Sequence, residues 1–218
     1  MTDKNRLPAP EKKRFTIFGV EVAYLYLFGI VVAFCAWVIE NIACLVLVGE
    51  IDCRSHLLPF ISPYALIVFA FHIVFGDPDD ITLFGKRIFK KSGTREKLLS
   101  NLLAFLMIAA CVFLGELVVG DGYELLFGVS LWDHRSMPLA ITKHTSVIST
   151  LGFGIAAYAL FRFVYKPFLA FLRKKVPYKV AKWITLTLGV AIVLDTLFLI
   201  FQIAVFGKAP VYWSLKLR

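Results

Sequence analysis

The sequence predicts an all-α integral membrane protein, a bundle of about five transmembrane helices with the N-terminus in the cytoplasm and the C-terminus outside. Of the 218 residues 59% are apolar, and the mean hydropathy is +0.78, whereas soluble domains contain about 45–50% apolar residues. Apolar runs of about 20 residues, long enough to cross a bilayer as a helix, recur along the chain between short polar connections. Basic residues gather in every second connection, and this asymmetry predicts the orientation of the bundle.

The predicted spans form one transmembrane domain, 22–206, between a cytoplasmic N-terminal segment, 1–21, and a short outer tail, 207–218. The spans themselves lie at about 22–45, 57–75, 98–119, 146–164 and 183–206. Pro59 and Pro63 stand at the start of the second span, where a helix tolerates proline because its first amides have no helical partner. A re-entrant entry from the outer side also fits these prolines.

Lysine and arginine alternate between the connections. The basic segments, with 5, 6 and 5 Lys or Arg, are 1–16, 77–97 and 166–181. The remaining segments, with 1, 2 and 3, are 49–56, 121–145 and 207–218. Cytoplasmic loops carry an excess of positive charge, and strict alternation of rich and poor segments requires an odd number of spans. Five spans are therefore preferred over four or six.

The connections have different predicted structures. In the second basic segment, Ile81, Phe84 and Ile88 would share one face of a helix. We therefore predict a surface helix on an anionic leaflet there, with a solvated basic loop as the alternative. We expect an irregular region at 120–145 and a loop in the third basic segment.

Composition and motifs exclude several classes of function. The formal net charge of +9 does not indicate nucleic-acid binding, because the basic residues lie between apolar runs and not on an aromatic-rich soluble face. Gly85-Lys86 lacks the other residues of a P-loop, and no hydrolase or zinc motif occurs. The sequence thus predicts no cofactor, no metal site and no ATP hydrolysis by this chain. No Cys-x-x-Cys pair occurs, and a bridge between Cys44 and Cys53 is an open alternative to free thiols.

Ionisable residues at membrane depth are candidates for function, because a charge there costs about 2.5–3.5 kcal/mol. The predicted orientation brings Glu40 and Glu116 to a similar depth near the outer side. Polar residues of the outer connections and adjacent helix ends join them: Arg54, His56, Glu124, Asp133, His134, Lys143 and His144. Either these groups line an outer cavity for a cation, a proton or a polar headgroup, or the two glutamates pair with Arg54, Lys143 or backbone amides and only tie helices together.

Asp195 is the most isolated acid, near the middle of the last span with no basic residue within a helical turn. It is predicted to be either a protonation site or a hydrogen-bond acceptor for a Ser or Thr of a neighbouring helix. His72, near the inner end of the second span, is expected to be a packing histidine with satisfied ring nitrogens.

Two blocks of the sequence resemble the motifs of a known family. Residues 34–40, Phe-Cys-Ala-Trp-Val-Ile-Glu, resemble its GWxxE first helix. Residues 115–133 begin with Gly-Glu-Leu and end with Glu-Leu-Leu-Phe-Gly-Val-Ser-Leu-Trp-Asp. They resemble the family's E-(x)-G-x-x-x-E-x-x-x-G-x-x-x-W-D-Y signature. The family is the type IV ABC-transporter (CmpB-like) family of small polytopic membrane proteins, and the resemblance covers about 25–165.

The resemblance implies a small multi-helix bundle. It marks as motif positions Glu40, Glu116, Glu124, Trp132, Asp133 and Pro138. The sequence departs from the family pattern in two places. His134 stands where a tyrosine usually follows Trp-Asp, and 53–56, Cys-Arg-Ser-His, replaces an Asn-Arg-Gly-Phe loop.

The leading hypothesis is a permease-like, multi-pass protein of the cell membrane that binds or translocates a small polar or amphiphilic substrate at the outer polar cluster. A separate ATPase subunit would dock on 77–97 or 166–181, and a homo-oligomer is also compatible with the sequence. One alternative is a lipid-modifying or hydrolytic membrane enzyme that uses Glu40, Glu116 and His134 or His144 as acid–base groups. Another is a non-catalytic accessory or sensor protein.

Overall fold

The apolar runs form helices, and several of the polar connections pair as short strands. The computed structural model describes residues 14–52, 55–88, 93–130, 132–212 and 214–216. The helices are α1 (Val22–Val48), α2 (Ser62–Phe75), α3 (Thr94–Phe127), α4 (Val147–Ala159), α5 (Tyr165–Lys175) and α6 (Tyr178–Phe206). The strands are β1 (Thr16–Ile17), β2 (Val20–Glu21), β3 (Glu50–Asp52), β4 (Gly76–Asp77), β5 (Asp80–Leu83), β6 (Lys86–Arg87) and β7 (Ser214–Lys216).

The described part of the chain contains five helical rods, because the π-helical turn Leu160–Val164 joins α4 and α5 into one helix. Four rods are long and apolar enough to cross a membrane: Val22–Val46, Thr94–Phe127, Val147–Lys175 and Tyr178–Phe206. The fifth, α2, has 14 residues and rises only about 21 Å, against a hydrocarbon core of about 30 Å. The predicted class, an all-α membrane bundle of about five helices, is confirmed, and the direction of the termini stays a prediction.

The second span begins with a bent, non-helical segment. Helix α2 starts at Ser62 and not near residue 57. The amide of Ile61 donates to the carbonyl of Ala33 in α1 at 3.3 Å. Because α1 continues from Ala33 to Val48, the segment 57–61 lies well below the end of α1. This geometry is compatible with the re-entrant entry that the prolines allowed, which stays a prediction.

The segment after α2 forms a small antiparallel sheet, β4-β5-β6. The predicted surface helix and its alternative, a solvated loop, are both wrong here. Two tight turns explain the difference. Asp77 accepts a hydrogen bond from the amide of Asp79 at 2.8 Å, and Phe84 and Gly85 have φ angles of 50° and 76°. An α-helix needs negative φ at every residue, so the predicted helical face through Phe84 does not form.

Helix α3 is longer than predicted. It ends at Gly128, whose φ of 67° gives the left-handed cap that commonly closes helices, and the Gly128 amide donates to Glu124 O at 2.9 Å. The first part of the region 120–145 is therefore helical and not irregular. Gly120 and Gly122 do not end the helix, because a glycine weakens a helix by only about 1 kcal/mol relative to alanine.

The third basic segment, predicted as a loop, is mostly helical. Helix α5 extends to Lys175, and α6 begins just after Pro177. Pro167 has no amide to donate and its ring would clash with the carbonyl four residues earlier. The π-helical turn that precedes this proline widens the helix at the place where the clash would occur.

The described parts of the three basic segments meet at one end of the bundle, which we call the basic end. Arg173 pairs with Glu21 at 2.6 Å, and Asp79 pairs with Arg162 and Lys166 at 2.6 Å each. Hydrogen bonds from Lys166 and Arg162 hold the pKa of Asp79 below its usual value. Strands β3 and β7 pair at the opposite end. This arrangement agrees with an odd number of passes.

The packed core lies toward the basic end. It takes residues from most helices and from β5, including Leu25, Phe28, Phe71, Phe75, Ile81, Ile108, Phe161 and Leu172. Helices α1 and α2 approach most closely at Gly29, where a Cβ atom would lie 2.7 Å from the carbonyl oxygen of Ala65. Small residues allow such close backbone contact between membrane helices.

Gly29→Ala should lower the free energy of unfolding by about 1–3 kcal/mol, because the carbonyl of Ala65 belongs to the backbone and cannot move aside. Thermal unfolding in detergent measures the loss. The matched control is Gly152→Ala in α4, where nothing lies within 4 Å of the new Cβ. That control should be neutral or slightly stabilising, and equal effects of the two substitutions would contradict the close packing of α1 on α2.

Candidate functional site

Asp195 of α6 binds the backbone that precedes α2. Its carboxylate accepts hydrogen bonds from the amides of Leu57 and Leu58 at 2.9 Å and 3.1 Å, and the Nδ1 atom of His56 lies 3.3 Å from Oδ2. The side chain is buried. The acceptor role predicted for Asp195 therefore has backbone amides as its donors, and not the hydroxyl of a neighbouring Ser or Thr.

This contact lies deep in the bundle. Since α6 continues from Asp195 to Phe206, the carboxylate sits about 16 Å below the last turn of that helix. The next residue, Thr196, donates a hydrogen bond to Ser62 Oγ at 3.2 Å, so α2 begins at the same level. Unpaired amides at that depth would cost several kcal/mol each. Asp195 removes that penalty for Leu57 and Leu58.

Glu40 lies on the opposite side of this break from the basic end. It is about 10 Å further along α1 than Ala33, and its Oε1 accepts a hydrogen bond from the hydroxyl of Tyr64 at 3.0 Å. The two pairs Glu40–Tyr64 and His56–Asp195 flank the start of α2. We call these four residues the break cluster.

A second polar group surrounds His144, which is 1% exposed. Its Nδ1 atom lies 2.6 Å from Oδ1 of Asp121. Its Nε2 atom lies 3.3 Å from Oε2 of Glu124 and 3.2 Å from Oγ of Ser130. The ring sits directly on Gly120, where a Cβ atom would lie 2.4 Å from its Cγ. We call these residues, with Trp132 and Lys143, the His144 cluster.

The other residues of the predicted outer site lie in the connection between α3 and α4. Trp132 Nε1 donates to the carbonyl of His144 at 2.8 Å, and Lys143 Nζ lies 2.6 Å from Oε1 of Glu124. Asp133 is paired with Arg135, whose hydrogen bonds lower the pKa of that carboxyl to about 2. Partial burial lowers the pKa of His134, whose amide donates to the carbonyl of Lys143 at 2.7 Å.

Glu116 joins α3 to the start of α4. Its Oε2 atom accepts hydrogen bonds from Ser149 Oγ at 3.2 Å and Thr150 Oγ1 at 3.3 Å. Ser149 also forms a reciprocal capping box with Ser146, each side chain accepting the other's amide. The partners of Glu116 are thus hydroxyl groups, and the predicted pairing with Lys143 is wrong, since that lysine binds Glu124.

The structure divides the predicted site between two sets of helices. Glu40 and Asp195 belong to the break cluster, whereas Glu116, Glu124, Trp132 and His144 lie on α3, α4 and their connection. Arg54 and Cys53 lie outside the described residues, so the role of Arg54 and the Cys44–Cys53 bridge stay predictions. Sequence analysis missed Asp121 and Ser130. Asp121 adjoins Gly120 in the motif, and only the unexpected helical continuation of α3 turns it toward His144.

The contacts from Ser130 to His144 and from His144 to Asp121 resemble those of a Ser-His-Asp hydrolase, but two further contacts oppose this chemistry. The hydroxyl of Ser130 donates to the carbonyl of Trp132 at 2.9 Å, and Glu124 lies beside the same His144 nitrogen. A general base must accept the proton of the nucleophile's hydroxyl, whereas the Ser130 hydroxyl points its proton to a backbone carbonyl and Glu124 shares the nitrogen that would accept it. The arrangement therefore suits a role in holding the connection between α3 and α4 in place. Among the described residues, no group of three His, Cys, Asp or Glu side chains is placed to hold a metal ion.

These features define a helical membrane protein. A non-helical segment precedes its second helix, and polar contacts hold the connection that follows its third helix. A family model described as "Putative ABC-transporter type IV" matches residues 26–200. The match covers most of the chain, which therefore belongs to this family of ABC-transporter-like membrane proteins. Comparison with curated proteins and with solved structures found no match.

The signature that suggested the family corresponds to the His144 cluster. Gly120 leaves space for the imidazole, Glu124 contacts it, Gly128 ends α3, and Trp132 binds the carbonyl of the same histidine. The spacing of four residues places the first three on one side of α3. These signature residues are thus the ones that pack the connection between α3 and α4 onto α3.

Gly120→Ala should displace His144, because the new methyl group would overlap the ring. We expect at least about 1 kcal/mol of destabilisation and faster protease cleavage in the connection 129–145, measured by limited proteolysis in detergent. Gly122→Ala is the matched control two residues along the same helix, with nothing within 4 Å of its Cβ. Wild-type cleavage of the Gly120→Ala protein would show that the His144 cluster does not hold the connection.

Proposed function

We propose that this chain is a permease-like, multi-pass protein of the cell membrane that binds or translocates a small polar or amphiphilic substrate from its outer side. The break in the second span carries the proposal. Helix α2 begins at the depth of Asp195, and that carboxylate holds the backbone before it. In transporters, interrupted helices near the bilayer midplane form substrate sites, because their free backbone ends and nearby polar groups replace water.

The side chains beside the break suit a substrate with a polar head and an apolar body. Glu40 supplies a carboxylate and Tyr64 a hydroxyl on the outer side of the break. Phe34 and Phe60, whose ring centroids are 6.0 Å apart, supply apolar surface next to it. A ligand site commonly combines a few polar groups that orient the ligand with an apolar wall that desolvates it.

The His144 cluster contributes an acidic surface in this proposal. Glu116, Asp121 and Glu124 lie within three turns of α3. Lys143 pairs with Glu124, and Arg135, which also attracts Glu124, is itself paired with Asp133. An excess of carboxylates raises the local concentration of cationic ligands. A substrate carrying an amine or another positive group is therefore favoured over an anion.

The proposal requires a separate ATPase subunit, because the chain has no P-loop. Its docking site would be the basic end, where α5 finishes in exposed Lys174 and Lys175 and Lys179 follows in α6. In the described part of this end, Arg162, Lys166 and Arg173 are neutralised by pairing with Asp79 or Glu21. Lys174, Lys175 and Lys179 at the junction of α5 and α6 are thus the part of the third basic segment best suited to an acidic partner surface.

The test is to purify the tagged chain from native membranes in mild detergent and to reconstitute it in native lipid extract. We expect a P-loop ATPase subunit to co-purify and to hydrolyse ATP. Glu40→Gln should lower about tenfold the ATP hydrolysis that the lipid extract stimulates, because the substitution removes roughly one charge-assisted hydrogen bond. Glu50→Gln is the control, since Glu50 lies at the rim and pairs with Lys216 at 2.8 Å.

Two outcomes would contradict the proposal. One is a chain that purifies without an ATPase subunit and shows no ATP-dependent activity. The other is equal activity of Glu40→Gln and Glu50→Gln in a complex that does hydrolyse ATP, which would leave Glu40 with a structural role and favour an accessory protein.

A further inference from the structure

Two hairpins at the basic end share one sequence pattern and one backbone conformation. Residues 16–19 read Thr-Ile-Phe-Gly, and residues 82–85 read Thr-Leu-Phe-Gly. The first joins β1 to β2 and the second joins β5 to β6, each through a two-residue Phe-Gly turn. The φ angles are 45° and 78° at Phe18 and Gly19, and 50° and 76° at Phe84 and Gly85.

Phenylalanine is an unfavourable choice for the first position of such a turn. Two-residue hairpin turns with positive φ at both positions prefer Asn-Gly, Asp-Gly or Gly-Gly, and a bulky residue in the left-handed region is uncommon. The chain nevertheless uses phenylalanine there twice. The backbone gains nothing from the ring, so the ring itself is the feature that needs an explanation.

Both turns lie beside the last turn of α2. The amide of Phe84 donates to the carbonyl of Val74 at 2.8 Å. The carbonyl of Ile17 accepts a hydrogen bond from Nε2 of His72 at 2.7 Å, and the ring of Phe18 lies 6.0 Å from the His72 ring. The two turns also touch each other, because a Cβ on Gly85 would lie 3.2 Å from the Phe18 ring. They form one platform beside the end of α2 that faces the basic end.

The platform exposes aromatic rings and cations together. Phe84 is 63% exposed, Phe18 57% and Phe15 68%. Lys86 and Arg87 follow the second turn directly, and both are exposed. Because Arg87 pairs with Asp80 at 2.6 Å, Lys86 is the main cation that the platform offers to an anionic ligand. Aromatic rings beside Lys and Arg at the end of a membrane helix are typical of the bilayer interface, where rings enter the headgroup region and cations bind lipid phosphates.

We propose that this platform, the turns Phe18-Gly19 and Phe84-Gly85 with Lys86 and Arg87, binds anionic lipid headgroups of the leaflet at the basic end. The two hairpins project only a short distance, which favours lipid over a soluble protein as the ligand. The paired part of each hairpin is two residues long and extends about 7 Å, and the headgroup layer on each side of the hydrocarbon core is about 5–8 Å thick. Strand β2 leads into α1 and α2 into β4 without a linker, so the rings stay within that layer.

The test compares the rise in unfolding temperature when phosphatidylglycerol is added to the full chain in detergent. Phe84→Gly removes the ring and suits the positive φ, so the lipid-free protein should unfold at or above the wild-type temperature. We expect this variant to lose at least half of the lipid-induced rise. Phe84→Tyr should keep the rise, and Lys86→Gln should reduce it for phosphatidylglycerol but not for phosphatidylcholine. Phe206→Ala, which removes a ring 59% exposed at the opposite end, is the control.

Wild-type stabilisation of Phe84→Gly by phosphatidylglycerol would overturn the proposal. Equal losses in Phe84→Tyr and Phe84→Gly would also overturn it, because the first substitution retains an interfacial ring. Loss of a co-purifying protein subunit from Phe84→Gly, with the lipid response unchanged, would mean that the platform binds a protein and not a lipid.

Discussion

The hydrogen bonds from the amides of Leu57 and Leu58 to Asp195 are the interaction on which the architecture of the second span depends. A helix satisfies its own amides, but extended backbone at membrane depth must find partners in the surrounding protein. Asp195 supplies two acceptor oxygens from α6, and Ala33 supplies a carbonyl from α1. With these partners, α2 needs only 14 residues and covers the part of the bundle toward the basic end. An irregular segment and polar side chains fill the remaining depth.

The same principle explains why the polar residues form two groups with different surroundings. In the break cluster, a carboxylate satisfies backbone at mid-depth. In the His144 cluster, carboxylates on α3 hold the ring of a connection that returns toward α4, and Gly120 gives the ring its place. Both groups use acids to fix non-helical chain, so a structural role and a role in substrate binding are compatible at the same residues.

Sequence analysis predicted the features that depend on composition and on local order. Long apolar runs and the alternation of basic segments gave the class and the approximate spans, and the prolines before α2 indicated a re-entrant start as one alternative. The partners of Asp195 could not be predicted, because Leu57 and Leu58 are more than 130 residues away in the chain. The Phe-Gly turns were missed because the apolar pattern of 81–88 fits a helix, and only the positive φ angles exclude it.

Hydrogen–deuterium exchange of the segment 56–61 tests the central claim most directly. Replacing Asp195 with Leu removes both acceptors, so exchange at Leu57 and Leu58 should accelerate at least about tenfold, as loss of one charge-assisted hydrogen bond of about 1.5–3 kcal/mol requires. Asp195→Asn retains one acceptor oxygen and should give a smaller increase, while peptides from 67–75 of α2 stay unchanged. Unchanged exchange at Leu57 and Leu58 in the Asp195→Leu protein would contradict the account.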